Sequence, residues 1–237
     1  RGAAAGKEII LHAPMSNLAS KPLGPGGLTA EMQEAEVRAS LARAIASTPH
    51  VRGVSNHMGS QLTRMREPME WVMREVAEHQ LYFVDSRTIG NSLAGPVARE
   101  YGVPTLSRHV FLDHEISRDA IANHFELLLI RARQQGTAVG IGHPHPETLD
   151  HLARELPRLA GRGYELVLVS EALSHATSGK LQSHLDSVAG HVGLGLGHGV
   201  LAEVEDAGSE HRVGATLQHA FNEVVEVADA PGSNHGD

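Results

Sequence analysis

Short apolar runs alternate along the chain with longer amphipathic stretches. The runs predict strands over 8–11, 51–54, 81–84, 103–106, 109–112, 137–141 and 165–169. Between them, apolar residues recur at helical spacing. Met32, Val37, Leu41 and Ile45 predict a helix over roughly 30–47 behind a Thr29 cap. Met69, Val72, Met73 and Val76 predict one over about 67–79, with Pro68 in its first turn. A short helix follows at about 92–101. The longest runs over 117–135, with Ser117 as cap, Ile121, Phe125, Leu128 and Leu129 inward, and Gly136 as stop; another is expected at about 147–160. Strands alternating with helices imply parallel βαβ units. Because polar residues close almost every strand, the spacing is more barrel-like than nucleotide-binding.

The two ends follow a different logic. Residues 1–6 read as the last turn of a helix with Gly6 at its C-cap, so an upstream segment is expected. Beyond about residue 175 the alternation lapses. The stretch 191–198 is Gly-rich, one helix is plausible at roughly 214–227, and the tail's seven histidines read as solvated in a weakly ordered extension. Gly193-Leu194-Gly195-Leu196-Gly197 is no dinucleotide fingerprint, because no strand is predicted before it and its third glycine comes too soon. The expected organisation is a (β/α) domain over 1–172 and a poorly specified extension over 173–237.

Composition narrows the chemistry. Apolar residues make up 41% of the 237 but aromatics only 3%, so the core must be aliphatic. A net charge of -8 argues against a nucleic-acid surface, which needs a clustered basic field. With no cysteine, thiolate metal sites, disulfides and cysteine nucleophiles are excluded. No apolar run approaches the ~20 residues of a spanning helix, and the opening residues do not read as a signal peptide. No Gly-x-Ser-x-Gly elbow supports a serine nucleophile.

What remains is histidine and carboxylate chemistry at strand ends. His143 and His145 lie two apart in Gly142-His143-Pro144-His145-Pro146, where the prolines stiffen the turn and both imidazoles can face one side. His12 follows 8–11, Asn56-His57 follows 51–54, and Asp85 follows 81–84. These ends suggest one metal-ligand and acid/base constellation. Asp113 closes 109–112 in the same way, but a helix-cap role suits it equally. Arg87 and Arg108 are weaker candidates for an anionic or sugar substrate. Seventeen histidines make any one His-x-His less surprising.

Together, His12-Ala13-Pro14-Met15, Asn56-His57-Met58-Gly59-Ser60, Phe83-Val84-Asp85-Ser86-Arg87-Thr88, Phe111-Leu112-Asp113 and Ile141-Gly142-His143-Pro144-His145-Pro146 resemble the divergent polysaccharide deacetylase family of bacterial envelope proteins. The resemblance covers about residues 1–172. It implies a distorted (β/α) barrel of mainly parallel strands, a zinc-like divalent ion, an acetylated polysaccharide or oligosaccharide as substrate, and a periplasmic or secreted location. It further implies His12, His57 and His143 as metal ligands, with His145 as general acid and Asp85 as an orienting carboxylate; His143 and His145 could exchange roles. The family's first strand ends in an Asp-Asp pair, and this chain begins after it. That predicts a barrel incomplete at its start, weak metal binding and little activity. Two other readings compete: a non-catalytic envelope carbohydrate-binding or partner module, and another metal-dependent hydrolase such as a phosphoesterase.

Overall fold

A computed structural model of the chain describes residues 2–178 and 190–194. They form an α/β fold of parallel strands, as expected, in two compact units: residues 10–107, and residues 2–9 with the described residues from 108 onward. Among the described residues the strands make two four-stranded sheets, ordered β1-β2-β3-β4 and β5-β6-β8-β7, neither closed on itself. No described helix is long and apolar enough to cross a membrane.

The first sheet is built from β1 (Ile9–Met15), β2 (Val51–Met58), β3 (Tyr82–Asp85) and β4 (Thr105–Ser107). Register pairs Gly53 with Tyr82 and Asp85 with Ser107, both in parallel. Along β1 the side chains alternate: Leu11, Ala13 and Met15 are buried while His12 and Pro14 stay half-buried. Pro14 is tolerated because β1 is the sheet's edge, and its carbonyl accepts a bond from the Leu28 N–H at 2.8 Å. Helices α1 (Glu34–Ser47), α2 (Arg66–Glu78) and α3 (Ala94–Glu100) complete this unit. Val37, Leu41, Val72, Met73 and Val76 join Val54 and Phe83 in an aliphatic core. The first helix starts at Glu34, four residues after the predicted start, because Gln33 and Glu36 form a reciprocal capping box that Thr29 has no counterpart for.

The second sheet contains β5 (Val110–Phe111), β6 (Thr137–Ile141), β7 (Tyr164–Leu166) and β8 (Gly190–Leu194). Its helices are α4 (Arg118–Gln135), α5 (Pro146–Glu155) and α6 (Val169–Ser178). On α4 the Ser117 hydroxyl accepts from the Ala120 N–H, Gly136 ends the helix at φ 80°, and Ile121, Phe125, Leu128 and Leu129 face inward, all as predicted. The strand predicted over 165–169 stops at Leu166 because Val169 already opens α6. There the Glu171 carboxylate accepts from the Leu168 N–H at 2.8 Å, a helix-start bond. At the amino end, Ala3–Ala5 form one tight helical turn and Gly6 caps it at φ 73°.

One strand was not foreseen. The backbone of Gly190–Leu194 inserts between β6 and β7 and pairs in parallel with both. The helix expected over 214–227 and the tail beyond residue 194 lie outside the described residues.

Candidate functional site

The histidines singled out by the sequence fall into two groupings, one in each unit. The first rests on β1 and β2, which run further than predicted, so His12 and His57 sit within strands rather than beyond them. On a strand, residues two apart share a face, and that places Ser55 and His57 together. Nδ1 of His12 lies 2.8 Å from the Ser55 hydroxyl, and its Nε2 lies 3.2 Å from Nδ1 of His57. The chain turns sharply just after, with Met58 at φ 52° and Gly59 at φ 85°. A Cβ on Gly59 would stand 3.1 Å from Thr63 and 3.3 Å from Asn56, so glycine is needed on both counts. The turn is anchored: Asn56 Nδ2 and the Thr88 hydroxyl both donate to the Met58 carbonyl, and Asn56 Oδ1 accepts from the Ser86 N–H.

Asp85 ends β3 and is buried. Its Oδ1 accepts from the Arg87 N–H at 2.8 Å, a turn-forming bond of the kind Asp commonly makes. Past the end of β1, in the same unit, a cleft of about 380 Å³ is lined in part by Asn17, Lys21, Thr29, Glu31 and Gln61.

The second grouping belongs to β5 and β6. Parallel pairing sets Phe111 beside Ile141, so the residues following each strand meet. Asp113 is wholly buried, and both its oxygens are engaged. Oδ1 faces Nδ1 of His143 at 2.9 Å, while Oδ2 accepts from the His143 N–H at 2.6 Å and the Thr148 hydroxyl at 2.8 Å. A Cβ on Gly142 would come within 3.2 Å of Oδ2, so the missing side chain lets the backbone close on the carboxylate. Burial pushes the Asp113 carboxyl up, but the His143 side-chain bond, its backbone N–H and charge, and the Thr148 hydroxyl outweigh that and hold it below the usual carboxylate range.

His143 itself is 13% exposed at its side chain, packs its ring 5.2 Å from Phe111, and has His145 beside it at 5.7 Å. His145 occupies the N-cap position of α5, ahead of Pro146. One ligand atom from each of Asp113, His143 and His145 lies within 4.8 Å of the others, close enough to hold an ion. Oδ2 already accepts two bonds and Oδ1 one, so an ion there would have to use the remaining lone pair of Oδ1. The geometry suits Asp113 better as the carboxylate that orients His143.

The structure thus joins His12 to His57 and His143 to His145. It also brings forward two residues that local pattern did not single out for these roles. Ser55 carries no conspicuous local motif, and its one signal in the sequence is its position two before His57 on a strand. By pattern Asp113 suits capping and function equally, and its carboxylate meets the imidazole of His143.

The divergent polysaccharide deacetylase family model matches residues 1–173. An uncharacterized protein of Haemophilus influenzae is 37% identical over 164 residues, covering 67% of this chain and 59% of that protein. The uncharacterized protein YibQ of Escherichia coli is 38% identical over 144 residues, covering 61% of this chain and 45% of YibQ. The chain therefore spans about half the length of these curated relatives. The crystal structure of an uncharacterized protein from Agrobacterium tumefaciens superposes with a TM-score of 0.67 at 28% identity, over 70% of this chain and 68% of that one. With most of its described fold inside that match, the chain belongs to the divergent polysaccharide deacetylase family.

Proposed function

We propose that the chain is a metal-dependent hydrolase that removes acetyl groups from N-acetylated sugars of an envelope polysaccharide, acting outside the cytoplasm. The observation that carries this reading is the buried Asp113–His143 pair. Hydrolysing an acetamide requires an activated water, stabilisation of the oxyanion as it develops, and a proton for the departing amine. Asp113 accepts the Nδ1–H of His143, which leaves Nε2 as the working nitrogen, and its negative charge stabilises the ring when it is protonated. His143 therefore carries the proton to the amine, and His145, whose ring adjoins it, is the second imidazole of the turn.

His12 and His57 are the ion-holding pair. Two nitrogens each about 2.0–2.1 Å from a tetrahedral ion stand roughly 3.3 Å apart, and theirs are separated by 3.2 Å. An ion held by this pair would, within its own unit, polarise a carbonyl and lower the pKa of bound water. Asp85 supports this unit through the turn it holds at Arg87. The polar cleft past β1 has room for a sugar, with hydrogen-bonding groups in Lys21, Glu31 and Gln61.

The test is acetate release from an N-acetylated chitooligosaccharide, with and without chelator, alongside release of phosphate from an aryl phosphate. The expected result is slow, chelator-sensitive acetate release, reduced at least ~100-fold in His143→Gln. Equal acetate release by the wild type and His143→Gln would overturn the reading, as would phosphate release in place of acetate.

A further inference from the structure

The contact between His12 and His57 depends on which nitrogen of His12 bears the proton. A neutral imidazole has one N–H and one lone pair, and only the lone pair can hold a cation. His12 has a defined neighbour at each nitrogen: Ser55 Oγ at Nδ1, 2.8 Å away, and His57 at Nε2. If the Ser55 hydroxyl donated its proton to Nδ1, Nε2 would carry the hydrogen and point it at His57. If Ser55 accepts the Nδ1 hydrogen, the Nε2 lone pair faces His57 Nδ1 at 3.2 Å, where it can accept that nitrogen's hydrogen or share an ion lying beside the two nitrogens.

We infer that Ser55 is a positioning residue, fixing His12 as the Nδ1–H tautomer so that Nε2 stays a metal-ligating lone pair. The fold holds Ser55 for this task. It is fully buried in β2, so its hydroxyl keeps a fixed partner. Alternation puts it on the same face as His57, while Asn56 between them bonds across to Ser86. Serine is also the smallest side chain that offers an oxygen acceptor there, which leaves room for the His12 ring to approach to 2.8 Å. A bond at the far nitrogen both orients a ligand ring and raises its basicity, and losing such a bond weakens metal binding roughly 10–100-fold.

The inference rests on the proposed role of His12 and His57 as ligands, so the experiment separates the two claims. Long-range nitrogen–proton NMR of the metal-free chain, near pH 8, reads the tautomer of His12 directly. The expected result is Nδ1–H in the wild type, lost in Ser55→Ala and kept in Ser55→Thr, which retains the hydroxyl. Titration with zinc alone then gives affinities. His12→Ala should abolish the binding step, Ser55→Ala should weaken it roughly 10–100-fold, and Ser55→Thr should restore it. Thermal melts of Ser55→Ala and Ser55→Thr check that each folds, and the wild-type spectrum decides the tautomer whatever they show. An Nε2–H tautomer in the wild type would overturn the inference. So would an unchanged zinc affinity in Ser55→Ala while His12→Ala loses it. Zinc affinity unaffected by His12→Ala would instead refute the ligand reading and with it the purpose assigned to Ser55.

Discussion

Asp113→Asn replaces one oxygen by NH2 and removes one buried charge, so its consequences can be worked from the three bonds the carboxylate accepts. An amide has only one acceptor oxygen, and its nitrogen must face one of the present donors. Turned toward Oδ2, the NH2 would oppose both the His143 N–H and the Thr148 hydroxyl. Turned toward Oδ1, it opposes only the His143 ring, which can yield by moving its proton to Nε2. The variant should therefore fold with His143 held in the opposite tautomer. Hydrogen bonds to a charged group contribute about 1 kcal/mol more than neutral ones, or about 3 kcal/mol for three. Release from burying a charge offsets part of that, leaving a net loss of about 1–3 kcal/mol near neutral pH. Because the folded-state pKa of Asp113 lies below its unfolded value, its contribution is present above about pH 4 and is lost as pH falls through the folded value. Urea melts should show a gap between wild type and variant near neutral pH that narrows as Asp113 is protonated in acid, and NMR near pH 8 should show the tautomer change. A gap as wide near pH 3 as near pH 7, with His143 still carrying Nδ1–H, would refute the account.

Two further outcomes test the packing around these groups. A Cβ on Gly53 would lie 2.1 Å from the ring of Tyr82, its register partner, so Gly53→Ala should cost about 1–3 kcal/mol or more in denaturant melts; a Tyr82→Val background should recover part of this, and a neutral Gly53→Ala would show that the ring moves freely. His151 is buried against Phe125, and its Nε2 has no hydrogen-bond partner among the described residues; burial lowers its pKa, so stability should fall as pH drops below about 6.5, and His151→Leu should flatten that slope in melts between about pH 7 and 5.

Local pattern was informative where one element's own residues decide its state. The apolar stripes of α2 and α4, the Ser117 cap and the Gly6 and Gly136 stops follow from spacing and side-chain chemistry alone. It misjudged β1 and β2 because apolar runs end at Leu11 and Val54, whereas pairing continues through polar residues whose backbone groups still need partners. It could not foresee β8, whose glycines and histidine carry little strand propensity and whose bonds come from strands about 50 and 25 residues earlier.

The same distinction explains the site. His12, His57, His143 and His145 could be picked out because imidazoles near strand ends are conspicuous in one dimension. Their partners could not. Ser55 and Asp113 are ordinary residues made specific by contacts 43 and 30 residues away along the chain. A serine in a strand and an aspartate before a helix each have a common local use, and only register shows that neither is put to it. Register is fixed by backbone pairing summed over whole strands, so the groups that orient an imidazole are inherited from the sheet. Substitutions that shift β2 or β5 by one residue would therefore turn Ser55 or Asp113 to the opposite face, and would disable a histidine without altering it.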